Sequence, residues 1–294
     1  MKFHPFDYAA PSTIEEAVEL LNNRSIESKI LAGGQSLLPL LAFRLARPDL
    51  LIDLQAIPAL SEYRRTDEGF QVGAMTRHRT LELDLELANA CPMLAEALSV
   101  LGHVAIRNAG TVGGSLAHAD PAAEWPVLSM VLDAKMEIAG PKTLRTVNAD
   151  AFFSGWFETA IGDDEILVRT TFNLPPPGHG SAFEEVARRH GDFAISGVAA
   201  VIETDGLTIT NARIGLAGAA PIPIRVPEAE RCLVGKTLAG NQLELVGEAA
   251  RDAGDPSPDA HATVEYKRHL AQVLTKRAVS RAFARSISQS GSPQ

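Results

Sequence analysis

Two glycine pairs carry the chain's strongest chemical signal: Gly33-Gly34 within Ala32-Gly33-Gly34-Gln35-Ser36-Leu37, and Gly113-Gly114 within Gly110-Thr111-Val112-Gly113-Gly114-Ser115. Glycine takes positive φ without strain, and successive amides in such turns point into a concavity that suits an anion such as a pyrophosphate. A helix starting just after Ser36 adds free N–H donors and the positive end of its dipole. The hydroxyls of Ser36, Thr111 and Ser115 supply neutral hydrogen bonds to phosphate oxygens. A lone glycine pair at a strand end is more often an ordinary turn, so the ligand reading rests on the recurrence of one chemistry in two segments. Neither segment is a P-loop, since no Gly-Lys-Ser/Thr follows, and neither contains the GxGxxG dinucleotide fingerprint.

Other clusters read less sharply. His118, Asp120 and Glu124 crowd an imidazole and two carboxylates together, but metal sites usually need three or four converging ligands. Asp120-Pro121 reads equally well as a capped helix start. His103, Arg107 and the run Arg188-Arg189-His190 read as surface residues, and Cys91 and Cys232 as small buried apolar ones. Two thiols are too few for a disulfide scaffold or for a four-thiolate zinc or iron–sulfur site of the chain's own. The net charge of -9 and pI near 5.4, with no basic run, argue against nucleic acid as a partner. The amino terminus has no apolar signal core and no window of about 18 uninterrupted apolar residues occurs, so a cytoplasmic protein without membrane insertion is expected.

The elements that must position these residues follow from periodicity. Ser12 and Glu15 suggest a capping box opening a helix over 12–23. A strand over 29–32, a helix over 37–45 and a strand over 49–54 then make a small alternating α/β unit, with the first glycine pair at its strand-to-helix turn. Strands over 70–74, 135–139 and 166–174 alternate with helices over 93–101 and 123–132, which is α+β. Residues 173–180 concentrate proline and glycine and mark the main boundary. Beyond it, strands are expected over 182–187, 197–204 and 207–216, the last two joined at Asp205-Gly206, with helices over 242–252 and 266–285. Residues 288–294 read as a disordered tail.

The segments LAGGQSLLPLL (31–41) and GTVGGSLAHADPAAEWP (110–126), with RRHGDFA (188–194) and EYKRHL (265–270), closely resemble the FAD-binding medium subunit of the molybdenum hydroxylases. That family includes xanthine, carbon monoxide, nicotine and quinoline dehydrogenases, and the resemblance covers nearly the whole chain. It implies a vanillyl-alcohol-oxidase (PCMH)-type FAD fold over 1–176, in subdomains of about 1–55 and 56–176. A C-terminal domain over 177–287, of a three-stranded antiparallel sheet with helices, would follow. By the same resemblance, Ala32, Gly33, Gly34, Gln35, Ser36 and Leu37 wrap the FAD pyrophosphate. Thr111, Gly113, Gly114 and Ser115 continue along the phosphates and ribityl chain, Asp120 and Glu124 lie near the nucleotide, and Leu101, Leu167 and Phe193 lie near the isoalloxazine.

The resemblance further implies a small partner subunit with two [2Fe-2S] clusters and a large one with molybdenum on molybdopterin cytosine dinucleotide. The assembly would be an (αβγ)2 heterohexamer in which this FAD passes electrons to an external acceptor, with an N-heteroaromatic substrate hydroxylated elsewhere. A non-redox phosphate-ligand or assembly module and a stand-alone flavin oxidase remain as rival readings. Ser115 replaces a frequent asparagine, and Ala109 stands where larger residues are usual. Glu184-Glu185 stands where relatives often carry a lysine near the flavin, and a carboxylate there would disfavour a reduced anionic flavin.

Overall fold

The computed structural model describes residues 2–290. Its first unit is a parallel sheet ordered Asp7–Ala9, Leu50–Asp53, Ser28–Leu31, with the helix Ile14–Leu21 packed on it. The helix start is shifted by one residue from expectation. Thr13 is the cap, its hydroxyl accepting from the Glu16 amide at 3.1 Å, while Glu16 reaches back to the Ser12 amide at 2.7 Å. The box closes on whichever Ser/Thr–Glu pair has the right helical phase, and here Thr13–Glu16 does.

The second unit is an antiparallel sheet ordered Tyr63–Thr66, Gly69–Gly73, Ile166–Asn173, Lys135–Ala139, Leu144–Asn148. Helices Pro92–Val100 and Glu124–Val131 cover it, and Phe70, Phe172 and Trp125 stack in its core. Short elements were missed where the pattern is too brief to show a period: the strand Asp7–Ala9, the hairpin Phe153–Gly155/Glu158–Thr159 and the helix Val104–Ala109.

The third unit is a sheet of three long antiparallel strands, Gly180–Ala187, Ala194–Asp205 and Thr208–Ala217, extended by a two-residue edge strand Ile224–Arg225 that makes a fourth. Its two faces are buried in different company because successive side chains alternate. Ala182, Val198, Ala200, Ile202, Ile214 and Leu216 face the C-terminal helices, including Gln242–Ala253 and Val264–Ser290. Phe183, Ala199, Val201 and Ala217 face the core of the second unit. The third sheet is therefore a wall shared by two cores. The long helix runs through Ser290, so residues 288–290 are helical where a disordered tail was expected; residues 291–294 lie outside the described residues. Among the described residues no helix is long and apolar enough to cross a membrane.

Candidate functional site

The first glycine turn leaves the parallel sheet at Leu31, and Gly34 adopts the left-handed conformation with φ of 73°. Gly33 is glycine for another reason. A Cβ there would lie 2.4 Å from the Ala109 carbonyl oxygen and 2.6 Å from the Gly110 Cα, so the second segment itself excludes a side chain. A Cβ on Gly114 would lie 2.7 Å from Thr111 Oγ1 and 3.4 Å from the Ala32 Cβ. Two turns remote in sequence thus meet backbone to backbone. Gly113 differs again: its missing side chain faces the Ala74 backbone, 2.5 Å from Cα, so helix-on-strand packing demands it.

The second pair lies within the first turn of the helix Val112–His118, where a loop was expected. Thr111 caps this helix, its hydroxyl accepting from the Gly114 amide at 3.0 Å, a signal present in the sequence as a Thr just before the pair. Below the segment, amides of Val112 and Gly113 donate to Thr76 and Ala74 carbonyls, both at 3.0 Å, and the His78 amide donates to Gly110 at 3.2 Å. Burial, with Arg107 and Arg77 adding to it, holds the His78 imidazole down at about 3, so it stays neutral. It accepts from the Trp125 indole at 3.0 Å and forms a rigid floor under Gly110.

Among the described residues the amides of Gly33, Gly34, Gln35 and Ser36 have no hydrogen-bond acceptor. The Gln35 side chain turns back to the Gly33 carbonyl at 2.9 Å, and Ser36 caps the helix Leu37–Ala42 by position without using its hydroxyl. The sequence reading missed Arg77, whose guanidinium donates to the same Ala109 carbonyl that excludes a Gly33 side chain. No carboxylate lies within ion-pair distance of it among the described residues. Amides without an acceptor, a spare hydroxyl and a guanidinium with no carboxylate partner at one junction are the donor set that a doubly charged anion requires.

The segments that carry Leu101 and Phe193 meet by a second route. Arg107 is buried rather than at the surface as expected, because all three of its guanidinium nitrogens find acceptors: Nε and Nη2 donate to Glu82 at 2.7 and 2.9 Å, and Nη1 donates to the Leu101 and Gly102 carbonyls at 3.1 and 2.7 Å. That fixes the Leu101–Gly102 turn, against which Gly191 packs so closely that a Cβ would lie 2.8 Å from His103 Nδ1. Phe193, at the end of this loop, is 57% exposed, while Leu101 is buried. Leu167 is buried within the strand Ile166–Asn173, paired with Ile138, in the same core cluster as Leu101 and beneath the helix Val112–His118.

The acidic residues form the last group. Asp120 does not cap the following helix; its carboxylate accepts from the Ala122 amide at 2.9 Å, and the helix Glu124–Val131 starts after Ala123 with no side-chain cap. Glu124 is 6% exposed, and burial, with the Glu185 and Asp120 charges adding to it, pushes its carboxyl up to about 8. Burial lifts Glu185 to about 7, and its Oε2 is a buried atom without a hydrogen-bond partner. The neighbouring Glu184 points to the opposite face and pairs with Arg281. Of the two carboxylates expected to disfavour a reduced anionic flavin, Glu184 is paired with Arg281 and Glu185 has no cationic partner among the described residues. Among the described residues no group of three His, Cys, Asp or Glu side chains could hold a metal.

Residues 3–176 match the family model described as the FAD binding domain in molybdopterin dehydrogenase, and residues 181–282 match the CO dehydrogenase flavoprotein C-terminal domain. The chain is 37% identical over 287 residues to the 6-hydroxypseudooxynicotine dehydrogenase complex subunit alpha of Paenarthrobacter nicotinovorans, covering 97% of each. It is 35% identical to the carbon monoxide dehydrogenase medium chain of Hydrogenophaga pseudoflava, covering 95% of this chain and 98% of that one. Among solved structures it resembles carbon monoxide dehydrogenase from Hydrogenophaga pseudoflava, with a TM-score of 0.94 and 36% identity over 97% and 99% of the two chains. Quinoline 2-oxidoreductase from Pseudomonas putida 86 gives 0.92 and 36% over 98% and 100%.

Proposed function

Because the chain belongs to the FAD-binding medium-subunit family of the molybdenum hydroxylases, we propose that it is the electron-transfer subunit of such an enzyme. It takes electrons from iron–sulfur clusters of a small partner and passes them to an external acceptor. A large molybdopterin subunit hydroxylates the substrate. Similarity to a nicotine 6-hydroxylase medium subunit and a caffeine dehydrogenase subunit favours an N-heteroaromatic substrate. The assembly is an (αβγ)2 heterohexamer in the cytoplasm, and the chain divides into a FAD-binding part up to about residue 176 and a C-terminal domain beyond it.

The observation that carries this reading is the meeting of the two glycine segments around unpaired amides. The chain's residues fit FAD: two segments brought backbone to backbone at Gly33, free donors from Gly33 to Ser36, and Arg77 as the compensating cation. When bound, FAD supplies reversible two-electron chemistry. The protein's work is to grip and orient it. Ala32 to Leu37, with Thr111 to Ser115, hold the diphosphate and the ribityl chain. Asp120 and Glu124 lie beside the nucleotide, and Leu101, Leu167 and Phe193 bound the ring and exclude water from its edge.

The test is flavin content of the purified full chain. Gly33→Ala forces the Ala109 carbonyl away and breaks the cradle. Each charge-assisted hydrogen bond lost is worth about 1.5–3 kcal/mol, so retention is expected to fall at least about tenfold per bond. Wild-type chain without stoichiometric flavin, or a folded Gly33→Ala variant with undiminished flavin, would reject the reading.

A further inference from the structure

Four groups that the cofactor site does not use, His103, Arg188, Arg189 and His190, are exposed and come together where two loops meet. The loop 188–193 closes the hairpin of Gly180–Ala187 and Ala194–Asp205, and its Gly191, with φ of 83°, rests on the Leu101–Gly102 turn. A Cβ on Gly191 would lie 2.9 Å from the Gly102 carbonyl carbon, so the two backbones are in close contact. The imidazoles of His103 and His190 stand 6.4 Å apart between centroids, edge to face. Val104 and Phe193, their neighbours in sequence, are 51% and 57% exposed. The charges of this region do not balance. The loop 188–193, the segment 101–109 and the helix His78–Glu82 contain four arginines and two carboxylates between them. Arg79 and Arg107 share Glu82 at 2.9 and 2.7 Å, Arg188 takes Asp192 at 3.1 Å, and Arg189 has no ion-pair partner among the described residues. Two positive charges are left over, before the imidazoles are counted, on a chain whose net charge is -9.

We propose that this face docks an acidic electron-carrier protein, which is the external acceptor of the flavin's electrons. The inference rests on the reading of the chain as a FAD-dependent electron-transfer subunit. Charge complementarity selects the partner: an acidic carrier is repelled by the chain as a whole and attracted here, so the local field fixes where and how it lands. The composition is that of a docking surface, with exposed apolar Phe193 and Val104 beside arginines and imidazoles. A small anion fits less well. Arg79, Arg107 and Arg188 are tied to carboxylates and only Arg189 is free to close on a ligand, so the region offers a field over several segments rather than a cradle. The surface is also preformed, because the Gly191 contact and the Arg188–Asp192 pair fasten the loop. Position supports the role, since the same loop ends in Phe193 and the same turn bears Leu101, the residues assigned to the ring. Two carriers taking one electron each balance one two-electron turnover, with the protons released to solvent.

The experiment uses the full-length chain with its flavin and two haem carriers of opposite charge as probes, the acidic soluble domain of cytochrome b5 and the basic cytochrome c. Calorimetric titration measures association of the oxidised chain with each, and stopped flow measures electron transfer from the dithionite-reduced chain. Both are run from about 0.01 M to about 1 M ionic strength, over which the screening length falls from about 30 Å to about 3 Å. Arg189→Glu should weaken association with cytochrome b5 and slow its reduction about tenfold at low salt, with the difference vanishing at high salt. Val104→Asp should slow cytochrome b5 as well, and reoxidation of Arg189→Glu by an uncharged quinone should match wild type. Cytochrome c, drawn to the acidic remainder of the chain, should not be slowed by either variant. A folded Arg189→Glu chain that binds and reduces cytochrome b5 like wild type overturns the docking surface. Slowing of ferricyanide alone also overturns it, because the region would then attract small anions and not a protein. Wild-type chain that binds no FAD overturns the functional reading, and the titration, which needs no flavin, then decides the docking surface by itself.

Discussion

On one face of the strand Gly180–Ala187 four charged side chains neutralise one another, and on the other face Glu185 keeps a buried carboxylate oxygen without a partner while the Glu124 carboxyl lies buried in the neighbouring helix. In the first region Arg281 bridges Glu184 and Glu96, and Arg285 reaches Glu96 at 2.6 Å and the Ser181 carbonyl at 2.6 Å. The second Glu96 oxygen accepts the Phe183 amide at 2.8 Å and so closes the outer edge of the sheet. In the second region Glu124 and Glu185 are lifted toward neutral pH by burial. Both regions join the third sheet to the second unit. The arginine seam is a fastening whose charge is fixed, and the acidic region holds two partnerless carboxyls whose charge changes with pH.

The largest expected difference between them is pH dependence. A folded-state value of about 8 for Glu124, raised from an ordinary 4.5, means that the folded chain keeps a proton which the unfolded chain has released between those values. This contribution to stability is complete below about pH 4.5 and is lost as pH rises through about 8, at roughly 1.4 kcal/mol per pH unit. Denaturant unfolding from about pH 5 to about pH 8 should show wild type losing stability relative to Glu124→Gln at that slope. Parallel curves would mean that the Glu124 carboxyl does not hold its proton.

Breaking the seam should cost less, and without pH dependence in that window. Glu96→Ala strips Arg281, Arg285 and the Phe183 amide of their shared acceptor, with an expected loss of about 2 kcal/mol at any pH between about 6 and 8. Solvent screening holds the figure at the low end, because the Arg281 side chain is 41% exposed. Glu184→Gln should have the smallest effect, under about 1 kcal/mol by chemical denaturation, with the slope due to Glu124 unchanged. If that variant moved the slope, the two faces of the strand would be one coupled network.

Much of the candidate site was legible because it is written in residue types with few other uses. Two glycine pairs in the right order, a threonine before the second and a serine after each pair pointed to an anion cradle. Long periodic segments were equally legible, such as the helix Gln242–Ala253 and the hairpin turning at Gly206, whose φ is 57°. What escaped was whatever depended on a distant partner. Arg107 reads as a surface residue until Glu82 and two carbonyls are seen to absorb its donors, and Arg77 carries no local sign that its tip meets the Ala109 carbonyl.

The sequence by itself determined the periodicities, the glycine-compatible turns and the family pattern, because these are local properties of φ, ψ and side-chain alternation. Tertiary structure decided why Gly33 must be glycine, which is the approach of a backbone from the second segment rather than a turn requirement of its own. It also decided that two adjacent glutamates have opposite fates. Period-two alternation turns them to opposite faces, but only packing set Arg281 against Glu184 and Glu124 against Glu185, and so fixed which carboxylate keeps its charge.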